Sequence, residues 1–292
     1  MTLRFEYAAL ENGITLHTAR SGAGRPIVFV HGFPEFWYEW RAQLETFSDE
    51  YLCIAPDLRG FNLSDKPARV EDYRARKVIE DLRNLLRYYE LPSAIVVAHD
   101  WGGAVAWGLA ALYPECVEKL VIINAPHPLL FARELRDNPA QQRASEYMNL
   151  FRSDKAERVL LENDCARLAA MSLDQWGANG GNASAAVRAA YHAAWTTPGA
   201  LTGGLNFYRA SRLYPRKPGE TPIEVDEKFP TLHMPVMVIW GERDEALLTG
   251  NLDGLASYAR DLTVHRIADA SHWVLHERSD QVNQLIRNFI LD

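Results

Sequence analysis

The stretch Ala94-Ile-Val-Val-Ala-His-Asp-Trp-Gly-Gly103 decides the fold. Ile95, Val96 and Val97 form a continuous β-branched run, as in a strand buried on both faces. An Ala-rich run of helical composition follows at 101–113. Between the two the chain has to turn sharply, and Ala98, Gly102 and Gly103 are small enough to let strand and helix approach closely. Strand, sharp turn and helix in this order make a nucleophile elbow, with Asp100 at the apex where an esterase would carry serine. The helix N-terminus beneath Asp100 offers free N–H groups and a dipole that help keep a carboxylate ionised. An aspartate met here in isolation would serve equally well as an N-cap. Its chemistry therefore has to be read from its company.

Outward from this segment, short β-branched runs each end in a turn: 26–32, 51–57, 119–126, 235–241 and 262–267. Helical spacing separates several of them, with Val78, Leu82, Leu85 and Leu86 in one stretch and Val282, Leu285, Ile286, Phe289 and Ile290 in another. Such alternation predicts an α/β fold, a mostly parallel central sheet with helices on both faces. Asn12-Gly13 predicts a tight hairpin turn near the start. Between about His127 and Pro230 the strands stop and the composition turns helical. The expected division is a core of residues 1–126 and 231–292, interrupted by a helical lid over 127–230. An insertion there sits over the carboxyl ends of the strands, where open α/β sheets bind ligands. Gly22 and Gly24 precede a strand and do not join a strand to a helix, so they read as a turn and not a phosphate cradle.

Two residues give Asp100 its company. Asp244 follows the run 235–240 in Gly-Glu-Arg-Asp, and His272 follows 262–267 in Ala-Ser-His-Trp. Alone, the first would be a turn residue and the second a surface histidine. Nucleophile, acid and histidine in this order, each after a successive strand, is the arrangement of an α/β-hydrolase triad.

An aspartate nucleophile narrows the reaction. A serine attacking an sp3 carbon would form an ether that the site could not hydrolyse, whereas a carboxylate forms an ester whose carbonyl water can attack. The oxyanion of that second step sits on Asp100 itself. Its expected donors are the N–H of Phe33, in His31-Gly32-Phe33-Pro34, and the N–H of Trp101. His272 is the expected base for the water, with Asp244 fixing its tautomer.

The segments HGFPEFWYEWR (31–41), DLRGFNLSDKP (57–67), AHDWGG (98–103), NAPHP (124–128), GERD (241–244) and ASHW (270–273) resemble the epoxide hydrolase family of α/β-hydrolases, of the soluble epoxide hydrolase type. The resemblance covers nearly the whole chain. It implies an Asp-His-Asp triad, no metal or cofactor, and hydration of an epoxide to a vicinal diol. It further implies two lid tyrosines that hydrogen-bond and protonate the epoxide oxygen. By motif these are Tyr147, in Ser-Glu-Tyr-Met-Asn-Leu-Phe, and Tyr208, in Asn-Phe-Tyr-Arg, with Tyr191 and Tyr214 as rivals. A phenol suits the task because it donates a proton yet stays neutral at pH 7. Phe33, Pro34, Trp37 and Trp101 are the expected substrate-binding residues, lining an apolar pocket for a small uncharged epoxide. Two positions depart from the family pattern: Asn62 where glycine is usual, in a turn that Asn can keep, and Ser271 before the histidine, where glycine is commoner.

The sequence has 292 residues, 48% hydrophobic and 24% charged, within the range of ordinary globular proteins. Acidic residues outnumber basic ones by 38 − 31 = 7, which leaves no electrostatic footprint for nucleic acid. The N-terminus carries charges at Arg4, Glu6 and Glu11 and no apolar signal region, and no run is long enough to span a membrane. Three cysteines, Cys53, Cys116 and Cys165, read as reduced core thiols. A cytoplasmic protein is expected, monomer or homodimer.

Two other readings compete. Haloalkane dehalogenases share the aspartate and a Trp after it that helps hold halide, and usually add a second donor. Phe33 stands where that donor could be Asn, while Trp176 and Trp195 keep a lid donor open. Haloacetate dehalogenases clamp a carboxylate with arginines beside the nucleophile, where this chain has Trp101 and Ala104. A non-catalytic ligand receptor on a hydrolase scaffold is the reading from a different class.

Overall fold

A computed structural model of the chain describes residues 2–176, 183–217, 219–221, 223 and 228–291. Eight strands form one sheet in the order β1-β2-β4-β3-β5-β6-β7-β8. They are β1 (Arg4–Ala9), β2 (Thr15–Ser21), β3 (Arg25–Val30), β4 (Tyr51–Pro56), β5 (Ala94–His99), β6 (Val117–Ile123), β7 (Val236–Gly241) and β8 (Leu262–Ile267). β2 pairs antiparallel with both β1 and β4, and the pairs from β4 onward to β8 are parallel.

Alternate side chains of the β-branched strands feed two cores. Ile27 and Phe29, Ile95 and Val97, and Val121 and Ile123 point to one side, against Trp40, Phe47, Val282, Ile286 and Ile290. Val28 and Val30, Val96 and Ala98, and Leu120 and Ile122 point to the other, against Val78, Leu82, Leu85 and Trp107. Each such side chain removed from water contributes roughly 1.5–3 kcal/mol, which is why these strands carry apolar residues at successive positions.

The Asn12-Gly13 hairpin forms, with a longer loop than the sequence suggested. Ala9 pairs with Thr15 and leaves residues 10–14 as the turn. Gly13 takes the left-handed conformation at φ 81° and Leu10 N–H donates to Ile14 O. Asn12 is spent elsewhere: its Nδ2 donates to Asp81 Oδ1 at 2.8 Å, tying the loop to the helix Ala75–Tyr88.

Between β6 and β7 the described residues form helices, among them Pro128–Asp137, Tyr147–Phe151, Ala185–Thr196 and Ala200–Ala210. Local chemistry starts them. Asn138 Oδ1 accepts from the N–H groups of Ala140 and Gln141 ahead of Pro139, and Ser184 Oγ accepts from Val187 N–H. Residues 177–182, 218, 222 and 224–227 of this stretch lie outside the described set. No described helix is long and apolar enough to cross a membrane. Cys53, Cys116 and Cys165 are buried and unpaired, and burial pushes the Cys53 thiol up to about 12.

Register brings the strand ends together. Val30 pairs with Ala98, Ala98 with Ile122, and Ile122 with Val238, so β3, β5, β6 and β7 end side by side. The segments leaving these ends, and the one leaving β8, carry Phe33, Asp100, Asn124, Asp244 and His272.

Candidate active site

Asp100 opens the helix Asp100–Leu112 at φ 49°, the left-handed region that few side chains occupy unless their surroundings hold them there. Close packing makes the turn possible. A Cβ on Gly102 would come within 2.2 Å of Val30 O, and one on Gly32 within 2.3 Å of Asp100 Oδ1. Phe33 N–H donates to Asp100 Oδ1 at 2.7 Å, and the neighbouring Trp101 N–H helps hold the charge on this carboxylate. Burial raises the Asp100 pKa, and the His272 charge and the two N–H donors only partly offset it.

His272 Nδ1 lies 2.7 Å from Asp244 Oδ2, and its Nε2 lies 3.7 Å from Asp100 Oδ2. Burial acts to lower the His272 pKa, but Asp244 and then Asp100 outweigh it and raise the value to about 9. Asp244 is satisfied on both oxygens: Oδ1 accepts from the N–H groups of Ala246 and Leu247, and Oδ2 from Asn124 Nδ2, all at 2.8 Å. With its acceptors filled, the carboxylate holds Nδ1–H on the histidine and leaves Nε2 facing Asp100.

Tyr147 and Tyr208 stand beside each other, ring centroids 6.2 Å apart, and both line the cavities at Asp100. Their phenols act on one another electrostatically, and the Trp101 indole stands edge-on to the Tyr208 ring, centroids 5.0 Å apart. Burial, followed for Tyr147 by the Asp100 charge and for Tyr208 by Tyr147, pushes both phenols far above their usual range, so both stay protonated. Arg152 fixes the end of the second tyrosine's helix by donating to the carbonyls of Tyr208 and Ser211. The rival tyrosines are engaged elsewhere. Tyr191 OH donates to Glu35 Oε2, and the Tyr214 ring lies between the guanidinium groups of Arg152 and Arg216.

Two cavities meet at Asp100. The smaller, about 70 Å³, is apolar and lined by Trp101, Pro128, Phe131, Met148, Leu213 and Leu247. The larger, about 620 Å³, is lined by Phe33 on the inside and by Asp174, Arg243, Glu245 and Glu277 among others. The expected pocket is thus apolar on one side only.

Two of the expected substrate-binding residues stand away from Asp100. Neither Trp37 nor Pro34 lines the cavities at Asp100. Trp37 begins a 3-10 turn, Trp37–Trp40, whose N–H donates to Asp57 Oδ1 at 2.9 Å, and its indole packs edge-on against Phe5. Pro34 turns its carbonyl to the Trp195 indole N–H at 2.7 Å and lines a separate small cavity. The motif around Phe33 turns away from the site directly after the N–H that points at Asp100.

Other contributors went unread in the sequence. Glu39 Oε1 lies 2.5 Å from His99 Nδ1, and His99 Nε2 lies 3.0 Å from the backbone O of His272. Burial drives Glu39 well up and His99 well down, which favours the neutral form of each, and His99 Nε2 faces the His272 carbonyl. Glu277 receives both the N–H and the Oγ–H of Ser271, at 2.7 and 2.8 Å, which gives the departure from glycine a local use. Asn62 keeps its turn at φ 40° and donates to Asp57 Oδ2.

A family model described as alpha/beta hydrolase fold matches residues 25–279. The chain is 39% identical to AB hydrolase superfamily protein YfhM of Bacillus subtilis, over 96% of this chain and 95% of that one. It is 34% identical to Epoxide hydrolase 1 of Caenorhabditis elegans, over 95% of this chain and 68% of the relative. Its structure superposes on a Bacillus megaterium epoxide hydrolase in complex with an inhibitor at a TM-score of 0.91 and 36% identity, covering 98% of this chain and all of that one. A mutant of an epoxide hydrolase from the same organism, complexed with its product (R)-3-[1]naphthyloxy-propane-1,2-diol, superposes at 0.89.

Proposed function

The chain belongs to the epoxide hydrolase family of the α/β-hydrolase fold, and from that premise we propose that it adds water to an epoxide to give a vicinal diol through a covalent ester on Asp100. The observation that carries the reading is the pair of neutral phenols, Tyr147 and Tyr208, lining the same two cavities as a buried carboxylate.

In the first step Asp100 Oδ2 attacks one ring carbon. The C–O bond breaks toward the epoxide oxygen, which takes a proton from the tyrosine pair. Oδ1 remains on the Phe33 N–H, where it becomes the ester carbonyl. In the second step His272 Nε2 removes a proton from water as the water oxygen attacks Cγ of Asp100. The Phe33 and Trp101 N–H groups hold the oxyanion. Collapse expels the diol oxygen, which takes the remaining proton of the attacking water; the proton on His272 returns to the tyrosine pair, and Asp100 is regenerated as a carboxylate with one oxygen from water. Asp244 holds the imidazole orientation and stabilises its cationic form.

We read the helices within 127–230 as a lid that supplies Tyr147 and Tyr208, over a core of residues 1–126 and 231–292. The expected substrate is a small epoxide with an apolar substituent for the 70 Å³ cavity. The naphthyloxy diol held by a 36% identical relative supports an apolar group on one side of the ring. A cytoplasmic setting belongs to the same proposal and suits three buried, unpaired cysteines. Of the two lid tryptophans that could hold a halide, Trp195 spends its indole N–H on Pro34 O, and Trp176, whose indole N–H has no partner, stacks on His276 and lines neither cavity at Asp100.

The test is one turnover in 18O water with enzyme in excess over styrene oxide, followed by peptide mass analysis. Label is expected in the Asp100 peptide. Label confined to the diol would defeat the ester route.

A further inference from the structure

Glu35, Glu39 and His276, none of which lines the two cavities at Asp100, cluster together. Each carboxylate has one oxygen already held. Tyr191 OH donates to Glu35 Oε2, and His99 Nδ1 lies against Glu39 Oε1. Glu35 Oε1, Glu39 Oε2 and His276 Nε2 are left buried with no hydrogen-bond partner. One possible ligand atom from each of the three residues lies within 4.8 Å of the other two, and Glu35 Oε1 and His276 Nε2 are 3.6 Å apart. Both glutamates are 1% exposed and the His276 side chain is 5% exposed.

Unpaired polar atoms at this depth are costly unless something fills the point they share. One neutral imidazole and two carboxylates, each steered by an outer donor on its other oxygen, is the donor set of a zinc site with a position left for water. Two carboxylates bring a charge of −2 when both are ionised, which matches a divalent cation, and metal binding characteristically releases protons from its ligands. In a tetrahedral site the ligand atoms stand roughly 3.4 Å apart, given metal–ligand distances of about 2.0–2.2 Å. The Glu35–His276 pair already has nearly that spacing.

We propose that Glu35, Glu39 and His276 form a binding site for a divalent transition metal, Zn2+ by donor type. Mg2+ and Ca2+ are disfavoured by the imidazole. This proposal does not depend on the reaction assigned to Asp100. A metal there would slow whatever chemistry His272 performs, because Glu39 acts through His99 on the His272 carbonyl.

The test is calorimetric titration of the EDTA-dialysed protein with ZnCl2, and separately with MgCl2. One equivalent of Zn2+ should bind with a Kd on the order of micromolar or tighter, and Mg2+ should give no binding. His276→Gln and the isosteric Glu39→Gln should each weaken Zn2+ at least tenfold, with circular dichroism confirming the fold. Tyr191→Phe, which loosens Glu35, should weaken it about 10- to 100-fold. His192→Ala, at an exposed histidine paired with Asp164, should leave binding unchanged. Absence of Zn2+ binding, equal binding of Mg2+, or unaltered affinity in both ligand variants would overturn the site and leave a cluster that only water fills.

Discussion

His272 Nε2 stands 3.7 Å from Asp100 Oδ2, beyond hydrogen-bond reach. The base is aligned with the nucleophile but not bonded to it. A base that served to deprotonate the nucleophile would be in contact with it. Here the nucleophile needs no deprotonation, and the gap beside Nε2 leaves room for a water molecule on the way to Cγ.

The pH dependence should separate the two steps. With Asp100 and Asp244 ionised, the His272 pKa is raised to about 9, so the resting imidazole is protonated at neutral pH. A base has to be neutral. Esterification removes the Asp100 charge, one of the causes that hold this value up, and the pKa falls in the intermediate by about 1 unit or more. Rapid-quench measurements should therefore show ester decay rising with pH to a midpoint below 9, while ester formation stays nearly flat across neutrality. A decay midpoint at or above 9 would contradict this coupling.

Removing either phenol should slow ring opening and leave ester hydrolysis alone. Tyr147→Phe and Tyr208→Phe are each expected to reduce the rate of ester formation by about 10- to 100-fold, since one hydroxyl remains in place. The double variant should lose more. Single-turnover rates with and without the hydroxyls give the comparison, and an unchanged rate in both single variants would move the proton donor elsewhere.

Gly32 controls the placement of the nucleophile through bare space. A Cβ there would meet Asp100 Oδ1 at 2.3 Å and the Asp100 Cβ at 2.4 Å. Gly32→Ala should lower kcat by at least ~10²-fold while the protein stays folded, because a carboxylate displaced by about 1 Å no longer meets its donors. Activity and far-ultraviolet circular dichroism, read together, check it.

Asn124 links the ends of β6 and β7. Its Oδ1 accepts from Gly241 N–H and its Nδ2 donates to Asp244 Oδ2, both at 2.8 Å, and it adopts φ 38°. Asn124→Ala should cost about 1–3 kcal/mol in urea unfolding, from two buried groups left unpaired and from strain at a left-handed position. A loss of kcat should accompany it, as Asp244 loses one of its four donors. Wild-type stability in this variant would show that the link carries no load.

The residues readable in the sequence are those whose place follows from a strand beside them. Asp100 directly follows its strand and Asp244 and His272 lie within a few residues of theirs, and the parallel register then has no choice but to bring those strand ends together. Phe33 was legible for the same reason. Glu39, His99 and Asn124 were not, because their meaning lies in partners far along the chain: Glu39 with His99, His99 with His272, Asn124 with Asp244. No periodicity records such a pairing. Trp37 reads as a pocket wall because it is an aromatic near an oxyanion donor, whereas the backbone turns it toward Phe5. Tyr208 and Tyr191 share residue type and segment, and only the packing of their helices separates a hydroxyl near Asp100 from one on Glu35.

The meeting of an apolar and a polar-rimmed cavity at one carboxylate has a stereochemical consequence. An unsymmetrical epoxide lying across both has one favourable head-to-tail direction, with its greasy end beside Phe131 and Met148. In that direction a given ring carbon faces Oδ2 in one mirror image, while the other image must either present its second carbon or turn its oxygen away from the tyrosines. Handedness would then be sorted by polarity, and a racemate would leave the enzyme with one antipode enriched.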